Sequence, residues 1–338
     1  MRSAIVVLVV AGIAGQAAVY AAIGGPGGTL DSISQEGRSL EFPFAYFVLA
    51  GFPVVALLIW YAWHRPRTRL AKVGFAVLLI EVMAFFATIG SRTNMLAPIA
   101  LLLVVRHHLY RQWSFRQMAA LLAVVVVAAS AFLVVRQAAH DESLGEALEG
   151  APAELARPAA VLDDNTGFDD FFMAINHYGE VRPHRHGGSL VDAFRSYVPA
   201  AIDPGKPEST DIEFREEVLG PDYHGGRPYS LVGELYADFG YPGIAVGGLV
   251  VGIVALAMVG LVTRPAGERP TRLSVVLFAV AMLVLYKLTL GVYSIALGDL
   301  VELGAPLIVA IAVSSGPGVA RRLQFRRRAA ARADARLG

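Results

Sequence analysis

Long apolar runs separated by short polar breaks set the pattern of this chain. Ala4 to Ile23, Phe42 to Trp63, Leu70 to Ile89, Met118 to Val135, Gly243 to Val262 and Leu273 to Val292 are each long enough to cross a bilayer. At about 1.5 Å of rise per residue, about twenty helical residues span the roughly 30 Å hydrocarbon layer. Ser91 to Val105 and Gly298 to Val313 are shorter runs; the first reads as a short, thinned or re-entrant span. The pattern predicts an all-α polytopic integral membrane protein with about eight transmembrane helices. The first run reads as an uncleaved signal anchor, because the GGPGG that follows it is a poor cleavage site.

Between Arg136 and Arg227 no apolar run reaches span length. Ala139 to Pro158 is rich in Ala and Glu and reads as a solvated helix or linker. Phe168, Phe171, Phe172, Ile175 and Tyr178 have helical spacing and predict one apolar face laid on the membrane or on the spans. Ser189 is placed to cap a second helix with Leu190, Val191, Phe194 and Val198 inward, ending at Pro199. The AIDPGKPEST stretch that follows is turn-rich, with prolines bracketing Gly205 and Lys206. The expected organisation is N-terminal spans over 1–135, a large loop with short helices over 136–228, C-terminal spans over 229–314 and a tail over 315–338.

Charge orients these elements. HRPRTR at His64 to Arg69, the Arg106 to Arg116 segment, Thr263 to Arg272 and the arginine-rich tail are basic, whereas Arg136 to Arg227 holds eight cations against eighteen acids, a net −10. By the positive-inside rule the basic loops and both termini are cytoplasmic and the acidic loop is extracytoplasmic, in a multi-pass protein of the cell inner (cytoplasmic) membrane. A composition of 55% hydrophobic residues excludes a soluble globule, and the absence of cysteine excludes disulfides, thiolate chemistry and Cys-ligated zinc. The arginine tail reads as a topology determinant in contact with anionic membrane lipids, and no motif supports nucleic-acid binding.

Candidate chemistry concentrates just before the Gly243 span. Tyr229, Ser230, Glu234, Tyr236 and Asp238 form a polar, aromatic collar, and Gly240, Pro242 and Gly243 should break or bend the helix. Glu234 and Asp238 lie one helical turn apart, so both face the same side. Tyr223, Tyr229, Tyr236, Phe239 and Tyr241 are either an interfacial belt or surfaces for stacking on sugars. Glu81 and Lys287 lie at similar depths and predict an intramembrane ion pair. His184 and His186 alternate like a metal pair but have no clear third ligand, so no metal or cofactor is assigned.

Three stretches carry a family resemblance: RSYVPAAIDPGKP (Arg195 to Pro207), YSLVGELYADFGYPGI (Tyr229 to Ile244) and GSRTNMLAPIALLLVV (Gly90 to Val105). In this order they resemble the bacterial O-antigen polymerase (Wzy-like), or oligosaccharide repeat-unit polymerase, family over roughly Gly90 to Val313. Ala200 stands where such proteins often carry an arginine. The resemblance implies a glycosyltransferase that moves an oligosaccharide from undecaprenyl diphosphate onto another repeat unit at the outer face of the membrane, without a nucleotide sugar. It implies a flippase and a chain-length regulator as candidate partners. Such a reaction needs fixed cations for the departing diphosphate and a base for the acceptor hydroxyl. Arg92 and Arg195 with Glu234 are the expected catalytic residues, and Lys206, Arg227, His224, Asp238 and Tyr236 the expected substrate-binding residues. His177 is a further candidate base. A glycan ligase, or a transport component of polysaccharide export with a path lined by Glu81 and Lys287, remains the alternative.

Overall fold

The structure, a computed structural model, describes residues 1–22, 48–88, 92–121, 167–198, 202–205, 207, 210–220, 229–263 and 268–314, with the side chains of 92, 167–169, 211, 215 and 219 outside the description. Among the described residues it is helical and has no strand: α1 (Arg2–Ala22), α2 (Phe52–His64), α3 (Arg69–Thr88), α4 (Arg92–Leu109), α5 (Gly167–His177), α6 (Gly188–Ser196), α7 (Thr210–Leu219), α8 (Ser230–Val262), α9 (Arg272–Leu290) and α10 (Tyr293–Ser314). Five of these (α1, α3, α8, α9 and α10) are long and apolar enough to cross a bilayer, and two shorter apolar helices cover Val48–His64 and Thr93–Leu109. The expected Met118 to Val135 span lies outside the described residues beyond 121, as do the Ala139 to Pro158 segment and the arginine tail.

The bundle is built around α2. Val54, Val55, Ala56, Leu57, Leu58, Ile59 and Ala62 are buried on every side, which is why this helix is apolar all round and not striped. It packs against α1, α3, α4, α9 and α10. Outward-facing Val73, Val77 and Ile80 of α3 and Val246, Leu249, Ile253 and Leu256 of α8 remain exposed, as side chains that face lipid do.

The predicted basic loops converge on one end of the bundle. Arg272 Nη1 donates to Trp63 O at 3.4 Å, and Tyr110 OH donates to Tyr61 O at 2.8 Å and Ala62 O at 3.0 Å. The Arg65 guanidinium lies 5.0 Å over the Tyr110 ring, and Ser314 Oγ meets Met1 Sδ at 2.8 Å. Helices α5, α6 and α7 gather at the opposite end, on the first turns of α8 and α10.

That cap meets one expectation and corrects another. The aromatic face of α5 does pack on a span: Tyr178 and Ala174 are buried against α8, and the Phe171 ring stands edge-on to Tyr236 with centroids 6.5 Å apart. Helix α6 is turned over relative to the prediction. Its buried side is Ser189 and Ala193, while Leu190, Val191 and Phe194 are exposed. Ser189 is not its cap either; the N-cap is Gly187 at φ 88°, and the capping oxygen comes from Asp238 of α8. Small residues let α6 approach α8 and α10 closely, so the larger side chains point away from the protein.

Candidate functional site

Helix α8 runs through the collar and the span with one break. Gly240 has φ 66° and ψ −155°, a conformation open in practice to glycine alone, and Pro242 supplies no N–H to the Asp238 carbonyl. The two carbonyls released by the break are taken by the cap: Arg185 N donates to Ala237 O at 2.9 Å and His186 N to Asp238 O at 2.8 Å. The 184–187 loop is therefore stitched to the bend in α8. The His184 ring fills the bend, since a Cβ on Gly240 would stand 3.2 Å from His184 Nε2, and it lies edge-on to Tyr236 at 5.4 Å.

Glu234 is the joint of the site. It is wholly buried; its Oε1 accepts from Thr210 Oγ1 of α7 at 2.9 Å and its Oε2 accepts from Tyr293 N at 2.6 Å. Tyr293 begins α10, so the carboxylate also sits at the positive end of a helix dipole. One side chain thus ties α7, α8 and α10 together through charge-assisted hydrogen bonds. Tyr197 OH of the chain just after α6 donates to Ser294 O, one residue along α10. Asp238, one turn from Glu234, accepts Ser189 N on Oδ1 at 3.1 Å, while its Oδ2 is buried with no hydrogen-bond partner among the described residues.

Above this joint lies a network of charges. Arg185 Nη1 donates to Glu213 Oε2 at 2.9 Å and its Nη2 to Asp192 Oδ2 at 2.6 Å, bridging α6 and α7. Arg182 pairs with Glu217, which also meets His177 Nε2 at 3.1 Å. Burial works against the Arg185 charge, but the Glu213 carboxylate and the neighbouring Tyr229 and Tyr178 outweigh it, so Arg185 is a firmer cation than an ordinary arginine. Burial pushes the Tyr178 phenol up, which keeps it protonated at neutral pH. The rings of Tyr178, Phe214 and Tyr229 stack beneath the network, with Phe214 and Tyr229 centroids 4.4 Å apart.

The structure thus places Glu234 and Asp238 one turn apart on one side of α8, whereas Tyr236, two residues from each, turns to the other side and packs against Phe171 and His184. Arg195 stands on the cap surface at the end of α6, its Nε donating to Asp203 Oδ2 at 3.0 Å and its Nη2 to Gly205 O at 3.2 Å, so it clamps the Asp203–Gly205 turn. Lys206, Arg227 and His224 lie outside the described residues, and of Arg92 only its place as the first residue of α4 is described. His177 is engaged by Glu217. The expected Glu81–Lys287 pair is not formed. Lys287 Nζ donates to Asp299 Oδ1 at 2.5 Å and to Asn94 Oδ1, and Glu81 Oε2 has no hydrogen-bond partner among the described residues. Helix α4 packs on both α3 and α9 and stands between the two side chains.

Sequence reading passed over Arg185, Thr210, Asp299 and Glu302. Arg185 and Thr210 carry no local signal, because their partners lie on other helices. Asp299 and Glu302 did carry one, as two acids in an otherwise apolar helix. Fold and site together define a polytopic helical membrane protein with a folded cap clamped over a polar collar. Comparison with family profiles, with curated proteins and with solved structures finds no match to this chain.

Proposed function

We propose that the protein is a polysaccharide (O-antigen or exopolysaccharide) polymerase, a membrane glycosyltransferase that joins undecaprenyl-diphosphate-linked oligosaccharide repeat units at the outer face of the cytoplasmic membrane. The observation that carries this reading is the Glu234 joint: a buried carboxylate held by Thr210 and Tyr293 beneath a cap that presents Arg182, Arg185 and Arg195. The basic end of the bundle is then cytoplasmic by the positive-inside rule, and the cap faces out.

In this reading an acceptor hydroxyl attacks the anomeric carbon of the donor glycan as the bond to the diphosphate breaks. Charge develops on the departing lipid diphosphate, where guanidinium groups give the planar, multidentate contact that phosphate oxygens favour. Arg195 is the cation to recruit, because its bond to Asp203 is half-exposed and such surface pairs are worth at most about 1 kcal/mol. Glu234 takes the acceptor proton once α7 withdraws the Thr210 hydroxyl, and Asp238, one turn along α8, lines the approach.

Analysis of lipid-linked glycans in a strain lacking the gene tests this proposal. Accumulation of single lipid-linked repeat units without long polymer, restored by the wild type but not by Glu234→Ala or Arg195→Ala at equal membrane levels, supports it. Accumulation of long lipid-linked polymer would point to a ligase, and normal polymer would refute both.

A further inference from the structure

A second polar group lies inside the bundle, away from the cap. Asp299 and Glu302 are six and nine residues past Tyr293 on α10, about 9 and 13 Å deeper along the helix axis. Both are buried, one turn apart, and each keeps one oxygen, Asp299 Oδ2 and Glu302 Oε2, without a hydrogen-bond partner among the described residues. The other Asp299 oxygen is held by Lys287 of α9, which also donates to Asn94 of α4.

Glu302, only 2% exposed, faces Gly51 at the head of α2. A Cβ on Gly51 would lie 2.3 Å from Glu302 Cγ and 2.5 Å from its Oε1, so the missing side chain is the space that the carboxyl occupies. Gln16 of α1 donates Nε2 to Ala50 O at 3.3 Å, beside the same Ala50–Gly51 peptide, and its buried Oε1 has no hydrogen-bond partner among the described residues. Residues of five helices, Gln16 of α1, Gly51 at the head of α2, Asn94 of α4, Lys287 of α9 and Asp299 with Glu302 of α10, thus meet in one buried polar cluster.

Charge decides what such a cluster takes. Among the described residues the charged groups acting on Glu302 are Asp299 and Lys287, while α1 and α2 bring the uncharged Gln16 and Gly51 to it. One ammonium faces two carboxylates, so with both ionised the cluster carries one uncompensated negative charge, and burying such a charge is strongly unfavourable. We propose that the buried Asp299–Glu302 cluster binds one monovalent cation, a proton or a sodium ion, with Glu302 as its principal ligand. The site stands whether or not the polymerase reading does.

Thermal unfolding of the full-length protein in detergent tests it, with NaCl exchanged for N-methylglucamine chloride at constant ionic strength and, separately, with pH varied in sodium-free buffer. A bound ion stabilises the folded state in proportion to the logarithm of its concentration above the dissociation constant. For a sodium site the wild-type Tm rises by about 3 °C or more over a hundredfold increase in Na⁺; for a proton site it rises by as much as pH falls over two units. Glu302→Gln keeps the shape, removes the excess charge and flattens the response that the wild type shows. In the wild type itself, a hydrophobic carbodiimide, which adds only to protonated carboxyls, labels Glu302 in peptide mapping, less as pH rises and, for a sodium site, less as Na⁺ is added. Superimposable Tm profiles for wild type and Glu302→Gln, or a Glu302 peptide unlabelled at every pH, would overturn the proposal.

Discussion

Asp238 shows how one side chain serves a helix to which it does not belong. Its Oδ1 takes the Ser189 N–H and its carbonyl takes that of His186, so it closes the N-terminus of α6 from α8. Asp238→Ala should destabilise the protein by about 1–2 kcal/mol, as loss of a buried cap does, whereas Asp238→Asn keeps the accepting oxygen and should lose less than half of that; thermal unfolding in detergent measures both. Gly240→Ala is predicted to cost about 1–3 kcal/mol, because a side chain at φ 66° is strained and its Cβ meets the His184 ring. The sequence marks the bend itself, through Gly240, Pro242 and Gly243. It does not mark the ring that fills the bend, because His184 is fifty-odd residues away and looks like half of a metal pair.

Among the elements, α6 is the one whose sequence misleads. Leu190, Val191 and Phe194 form an apolar stripe that normally seeks a protein core, yet they are 45%, 58% and 58% exposed. Gly187 lies against the Phe239 ring, itself exposed on α8, which puts the stripe at the level where the span begins. A helix with such a face at that depth buries it in the headgroup and acyl boundary. The absence of native cysteine permits single-cysteine spin labels. Labels at Val191 and Phe194 in liposomes should be reached by oxygen dissolved in the lipid, and a label at exposed Pro204 by a water-soluble nickel complex. The reverse pattern would place α6 in water. The period of α6 was readable from its sequence; its orientation was not, because α8 and α10 select the small face for close packing.

Taken as a whole, the molecule separates its polar groups along one axis. A basic end is tied together by Arg272, Tyr110 and Arg65, a cluster of buried charge lies within the bundle, and a cap is clamped by Glu234 at the far end. Apolar run length made the helical membrane character legible, with five of the about eight expected spans present at crossing length among the described residues, and loop charge separated the two ends. The joint was half legible: Glu234 stood out as a carboxylate at the mouth of an apolar span, but its partners Thr210 and Tyr293 are set by tertiary packing between segments with no shared pattern. If the cap faces out, a reporter fused after Ser314 is active only in the cytoplasm, and a protease outside the cell cuts within the cap.

The polymerase reading meets its most direct test in a reconstituted reaction. Lipid-linked repeat units extracted from the strain lacking the gene are incubated with purified protein in nanodiscs, and the glycolipids are resolved by size. Wild type should convert them into a ladder of longer lipid-linked glycans with release of undecaprenyl diphosphate, and Glu234→Ala should leave them untouched. Unchanged repeat units in the presence of folded wild-type protein would contradict the account.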